Sequence, residues 1–164
     1  MATKFHQIKH RKFTIIIMDA PADDTAAAGY VAELKALGVT DVVRTCEPTY
    51  SPEKFEKEGL RVHEMMFADG APPPEETLVS WNSLIKERYN AKDPGIIAVH
   101  CVAGLGRAPV MAAVALMEQT GLDGVDAVEK IRETQKGAIN ARQLRFLQTY
   151  KPTNKASNGC CVTM

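Results

Sequence analysis

The unbroken apolar run Ile96-Ile97-Ala98-Val99 ends at His100-Cys101, passes through a loop with two glycines, and continues as the apolar stretch from Arg107 to Gln119. A strand that is apolar at every position has both faces covered, so this run predicts the centre of a sheet. The remaining pattern fits helices on either side. Lys12 to Met18 reads as a second buried strand, and Pro21 with Asp23-Asp24-Thr25 starts a helix, acids placed where its dipole favours them. Tyr30, Val31, Leu34 and Leu37 follow at helical spacing until Gly38. Asp41 to Cys46 and Leu60 to Phe67 read as further strands, with a short charged helix around Phe55 between them. Beyond Pro72-Pro73-Pro74, helices are expected over Glu75–Tyr89, Val125–Gln135 and Asn140–Tyr150. Strands alternating with helices predict an α/β fold around a central, mostly parallel sheet flanked by helices. Residues 1–151 form the folded domain in this reading, and 152–164 a flexible polar tail.

At 164 residues, 45% of them hydrophobic and 24% charged, the chain can bury a core of its own. Twenty Lys+Arg balance twenty Asp+Glu, so charge gives no reason to expect a nucleic-acid partner. No apolar run has transmembrane length, and Met1 to Lys12 lacks a signal-peptide core, so synthesis and folding in the cytosol are expected. Cys46, Cys101, Cys160 and Cys161 are too scattered for a secreted disulfide scaffold. No His/Cys cluster has zinc spacing; neither metal nor cofactor is expected. His6, His10 and His63 show no partner pattern.

Chemistry concentrates in His100-Cys101-Val102-Ala103-Gly104-Leu105-Gly106-Arg107. A strand-loop-helix junction gathers main-chain N–H groups and a positive helix end at one spot, which suits a phosphate dianion. Gly104 and Gly106 let the loop curl so that its amides converge. Cys101, at the loop's start, lies in the same field, which favours the thiolate nucleophile. Arg107 can fold back and hold two phosphate oxygens with its planar fork. A lone Cys after a buried strand could instead be a core thiol, but that leaves the glycines and Arg107 unexplained. A nucleotide-binding P-loop is excluded because Gly-Lys-Ser/Thr is absent. His100 orders the loop rather than acting as a base, since a thiolate held by amides needs none.

The Cys-x₅-Arg spacing is the signature of the protein tyrosine phosphatases, and argues against a rhodanese-like sulfurtransferase. The longer string through Ala108-Pro109-Val110 resembles the phosphatases of regenerating liver, the prenylated PRL group of dual-specificity type. Val42-Val43-Arg44-Thr45-Cys46-Glu47, Phe67-Ala68-Asp69-Gly70-Ala71-Pro72-Pro73-Pro74, Gly137-Ala138-Ile139-Asn140 and Gln143-Leu144 extend the resemblance over nearly the whole chain. It implies a dual-specificity-like phosphatase fold and hydrolysis of a phosphoprotein or phosphoinositide through a phospho-cysteine on Cys101. It also implies that Asp69 is the general acid, a role that contributes about 10²–10⁴-fold. Taken alone, Asp69 beside Gly70 reads as a solvated turn residue.

Three further expectations follow from the resemblance. Ala108 stands where most cysteine phosphatases carry a Ser or Thr hydroxyl, which implies slow hydrolysis of the intermediate; Ala also simply suits a first helical turn. Cys46, by itself a buried thiol, is implied to form a reversible disulfide with Cys101. Docking onto cyclin-M-type magnesium transporters is implied as an alternative role, switched by modification of Cys101. Finally, Cys161-Val162-Thr163-Met164 matches C-a-a-X with Met last, which favours farnesylation of Cys161 and a place on the cytoplasmic face of the plasma membrane or endomembranes. One prenyl chain binds reversibly, and Lys151 and Lys155 are a thin basic supplement, so either Cys160 is palmitoylated as a second signal or electrostatic anchoring is weak.

Overall fold

Successive residues of the central strands part to opposite faces of a five-stranded sheet, and each face carries its own apolar cluster. The computed structural model describes residues 5–153. Chain order is β1 (Phe5–His10), β2 (Phe13–Asp19), α1 (Asp24–Ala36), β3 (Val39–Arg44), α2 (Glu53–Glu56), β4 (Arg61–Glu64), α3 (Glu75–Tyr89), β5 (Ile96–Cys101), α4 (Arg107–Thr120), α5 (Gly124–Arg132) and α6 (Ala141–Thr149). The sheet runs β1-β2-β5-β3-β4, with β1 antiparallel to β2 and the other pairs parallel.

The apolar run at 96–101 does lie at the centre. Ile97 and Val99 join Ile15, Ile17 and Val43 against the fully buried middle of α4. Ala98 joins Ile16, Met18 and Val42 against Leu34 and Val31 of α1, with Phe55 of α2. Period-two alternation therefore sends Cys101 to the α4 side and His100 to the side of Tyr50. Trp81 of α3, also fully buried, donates its Nε1–H to Met111 O on α4 at 2.9 Å.

Two differences from the sequence reading stand out. The strand β1 was not expected. Only Ile8 in it is buried, the mark of an edge strand, and the Arg11-Lys12 turn lacks the Asn-Gly or Asp-Gly signal, although Arg11 takes φ +56°. The expected strand over 60–67 is regular only at Arg61–Glu64. Beyond it, Met65 N–H still bonds Arg44 O at 2.8 Å and Phe67 N–H bonds Thr45 O at 3.3 Å. Those irregular bonds carry the chain toward Asp69 beside the carboxyl end of β3.

Candidate active site

Parallel strands β2, β3, β4 and β5 end along one edge, and the residues singled out by sequence converge there. The loop 102–106 leaves β5 and feeds α4, whose first turn has no side-chain cap on its N–H groups. Gly104 takes φ +74°, a conformation that favours glycine, and its N–H donates to Cys101 Sγ at 3.2 Å. A thiolate accepts that bond more strongly than a thiol does. Among the described residues, the N–H groups of Ala103, Leu105 and Gly106 donate to nothing.

Arg107 folds back over this loop instead of facing solvent, its side chain 11% exposed. Nη1 donates to Phe67 O at 3.1 Å and to Thr45 O at 3.4 Å, the main-chain ends of the neighbouring strands. Nε is buried with no hydrogen-bond acceptor; Asp69 Oδ1 lies 3.7 Å away. A buried guanidinium N–H without an acceptor is costly, and an incoming phosphate oxygen would satisfy it.

Asp69 sits on the opposite lip with its side chain 85% exposed. The main chain just after it is pinned: Asn140 Nδ2 donates to Gly70 O at 3.0 Å and Gln143 Nε2 to Ala71 O at 3.2 Å. Asn140 and Gln143 also form the reciprocal capping box of α6, so one pair of side chains starts a helix and holds the Asp69 loop. Between the lips lies a cleft of about 620 Å³, lined by Cys46, Glu47, Thr49, Met66, Asp69, Val102 and Arg107 among others.

His100 is 1% exposed, and burial lowers its pKa to about 4. Cys101 O, 3.2 Å from Nδ1, can only accept; Nδ1 therefore carries the proton and Nε2 accepts from Tyr50 O–H at 2.7 Å. A neutral, doubly bonded ring orders the start of the loop and is no base. Arg44, buried beneath Tyr50, bonds Tyr50 O and the Glu64 carboxylate. Cys46 Sγ lies 3.9 Å from His100 Nδ1. Burial pushes the Cys46 thiol up, Arg107's positive charge pulls it down, and Cys101 adds to the rise. Both thiols are free and buried.

Sequence reasoning did not find Thr45 as a structural anchor, Gln135, or the full hold on the loop. Thr45, fully buried, bonds His100 O through both its N–H and its hydroxyl, at 3.0 and 2.8 Å. Ile139 N–H donates to Leu105 O at 2.9 Å from a left-handed φ of +69°, strained for a β-branched residue. Arg132 grips that turn, its Nε and Nη2 donating to Ala138 O and Ile139 O at 2.9 and 2.8 Å. Only the Gly-Ala-Ile-Asn string hinted at it, through resemblance. No group of three or more His, Cys, Asp or Glu among the described residues is placed to hold a metal ion. Cys160 and Cys161 lie outside the described residues.

Comparison with known proteins adds to this geometry. Residues 8–158 match the family model described as "Swiss Army Knife protein, DSP-PTPase phosphatase domain". The chain is 44% identical over 157 residues to "Protein tyrosine phosphatase PRL-1" of Trypanosoma cruzi, covering 92% of this chain and 89% of that one. It is 45% identical over 142 residues to "Probable protein tyrosine phosphatase type IVA A" of Dictyostelium discoideum, covering 87% and 84%. Among solved structures it resembles a putative protein tyrosine phosphatase from Leishmania major, with a TM-score of 0.76 at 37% identity over 92% of this chain and 99% of that one.

Proposed function

From a chain that belongs to the PRL, or type IVA, protein tyrosine phosphatases, we propose a phosphatase working through a phospho-cysteine on Cys101, with the second half of its cycle slow. The observation that carries this reading is the pairing of a sulfur bonded by the Gly104 N–H with an Arg107 Nε that is buried and without an acceptor. The Cys101 thiolate attacks phosphorus as the ester P–O bond breaks, and the leaving oxygen takes the Asp69 proton. Arg107 and the free loop amides hold the negative charge on the phosphoryl oxygens. Water then attacks phosphorus and returns a proton to Asp69. The P–S bond breaks, releasing inorganic phosphate and the thiolate. Ala108, fully buried in the first turn of α4, offers no hydroxyl to help the sulfur leave, which supports a long-lived intermediate. The substrate is a phosphoprotein or a phosphoinositide; both present a phosphate monoester.

Regulation and placement complete the proposal. A peroxide oxidises the two thiols of Cys46 and Cys101 to a disulfide, itself reduced to water, and the nucleophile is blocked until a thiol reductant reverses the step. Burial of both sulfurs in one site supports this. Farnesylation of Cys161, with palmitoylation of Cys160, places the enzyme on the cytoplasmic face of a membrane; the C-a-a-X pattern supports it. Intact mass of protein from eukaryotic cells tests all three. A phosphate adduct after brief exposure to a phosphoester, lost in Cys101→Ser, is expected, with prenyl mass on the C-terminal peptide and loss of two hydrogens after peroxide. An unmodified spectrum under each condition sinks the corresponding claim.

Docking of this face onto a cyclin-M-type magnesium transporter is a second reading, supported by exposed apolar side chains at the site: Met66, Val102 and Leu105. Comparing Cys101→Ser with Asp69→Ala in cells separates the two. Turnover as the function requires both to lose the phenotype, whereas docking spares a variant that binds without turning over.

A further inference from the structure

Three carbonyls of the 102–106 loop are held by donors from separate parts of the chain. Ala20 N–H bonds Val102 O at 3.4 Å, Gln135 Nε2 bonds Gly104 O at 2.7 Å, and Ile139 N–H bonds Leu105 O at 2.9 Å. The peptides are all trans, so each following N–H points opposite to the carbonyl of its own peptide plane. The amides so oriented are those of Ala103, Leu105 and Gly106, and none of the three donates to a described residue. Holding the carbonyls back is what faces these N–H groups forward.

The three holds are unequal. Two come from main-chain N–H groups, but the middle one is a side chain, Gln135, only 7% exposed. It acts on the peptide that follows Gly104, whose missing Cβ leaves that plane free to rotate. We propose that Gln135 is a positioning residue for the phosphate cradle: its side-chain amide holds the Gly104 carbonyl back and so aims the Leu105 N–H at the oxyanion. The chemistry stays with Cys101; Gln135 sets the direction of one donor that meets the transferring group. Without the hold, the 104–105 peptide can turn its carbonyl toward the phosphate, replacing a donor by a repelling acceptor.

This rests on the reading of the loop as a phosphate site, and the test separates the two. Inorganic phosphate is measured as a competitive inhibitor of p-nitrophenyl phosphate hydrolysis by the full chain, alongside the melting temperature. Gln135→Met, which keeps the volume and removes the donor, is expected to weaken phosphate binding by about tenfold, the value of roughly one hydrogen bond, with a similar loss in kcat/KM. Gln135→Arg restores an N–H donor and is expected to recover binding to within about threefold of the native chain. A folded Met variant that binds phosphate like the native chain overturns the proposal, as does an Arg variant no better than Met. Should Gln135→Met fail to fold, Gln135→Glu decides. Its phosphate affinity relative to the native chain recovers on acidification, when a protonated carboxyl can donate to Gly104 O, and a flat ratio overturns the proposal. A native chain that phosphate does not inhibit overturns the loop reading itself, and this inference with it.

Discussion

Two charges drawn in from solvent, one fully and one in part, sit at opposite ends of the same parallel strands, and the fold treats them differently. Asp41, in β3 toward the amino ends, is fully buried with both carboxylate oxygens occupied. Arg88 Nε and Nη2 donate to it at 2.5 and 3.0 Å, Thr40 Oγ1 at 2.6 Å, and His63 Nε2 lies at 2.8 Å. Burial alone would raise the Asp41 pKa, but the bonds from His63, Arg88 and Thr40 prevail and hold it at about 2. Arg107, at the carboxyl ends, has only Nη1 hydrogen-bonded, while its Nε is buried without an acceptor. A charge satisfied inside the fold serves stability; one left short of partners at the mouth of a cleft is matched to a ligand.

Removing each charge gives the sharpest contrast. Arg107→Met should lower kcat/KM by about 10³–10⁴-fold, more than a single neutral oxyanion donor contributes, while the melting temperature holds or rises. A fall in stability with turnover intact would reverse the assignment. Asp41→Ala should do the opposite: it takes the main partner from the half-buried Arg88 and costs about 3 kcal/mol in denaturant unfolding, with phosphate inhibition unchanged. An equal loss of phosphate affinity would couple the two ends and break the comparison.

The last effect lies at the carboxyl ends, at His100 beside the loop. Its pKa in the fold is about 4, below the usual histidine value, so the unfolded chain binds the proton more readily. The stability of the neutral ring is fully present above about pH 6.5 and declines as pH falls toward 4, by about 3 kcal/mol in all. Urea unfolding of the native chain against His100→Gln between pH 7.5 and 4 checks this. Parallel curves would mean that the ring is not held neutral.

What could be read from residues alone follows the same divide. Cys101, the two glycines and Arg107 are neighbours in sequence, between a largely apolar strand and a largely apolar helix, so their spacing already set their relation. The Asp41 cluster was invisible: His63 showed no pattern, because its partner lies across a strand pair and Arg88 reaches in from α3. Strand β1 was missed because an edge strand with one buried residue carries little apolar signal. Thr45, Gln135 and Ile139 were opaque for another reason: they act on main-chain carbonyls, which are the same at every position and leave no mark on composition.

The sequence by itself determined the layered architecture and set Cys101, the two glycines and Arg107 together at one strand-loop-helix junction, because apolar periodicity and short-range spacing are local properties of the chain. Only the tertiary structure decided which way the loop's peptides face and which buried charge is left short of partners. Those depend on hydrogen bonds between segments far apart in sequence, whose meeting is set by how the sheet and its helices pack.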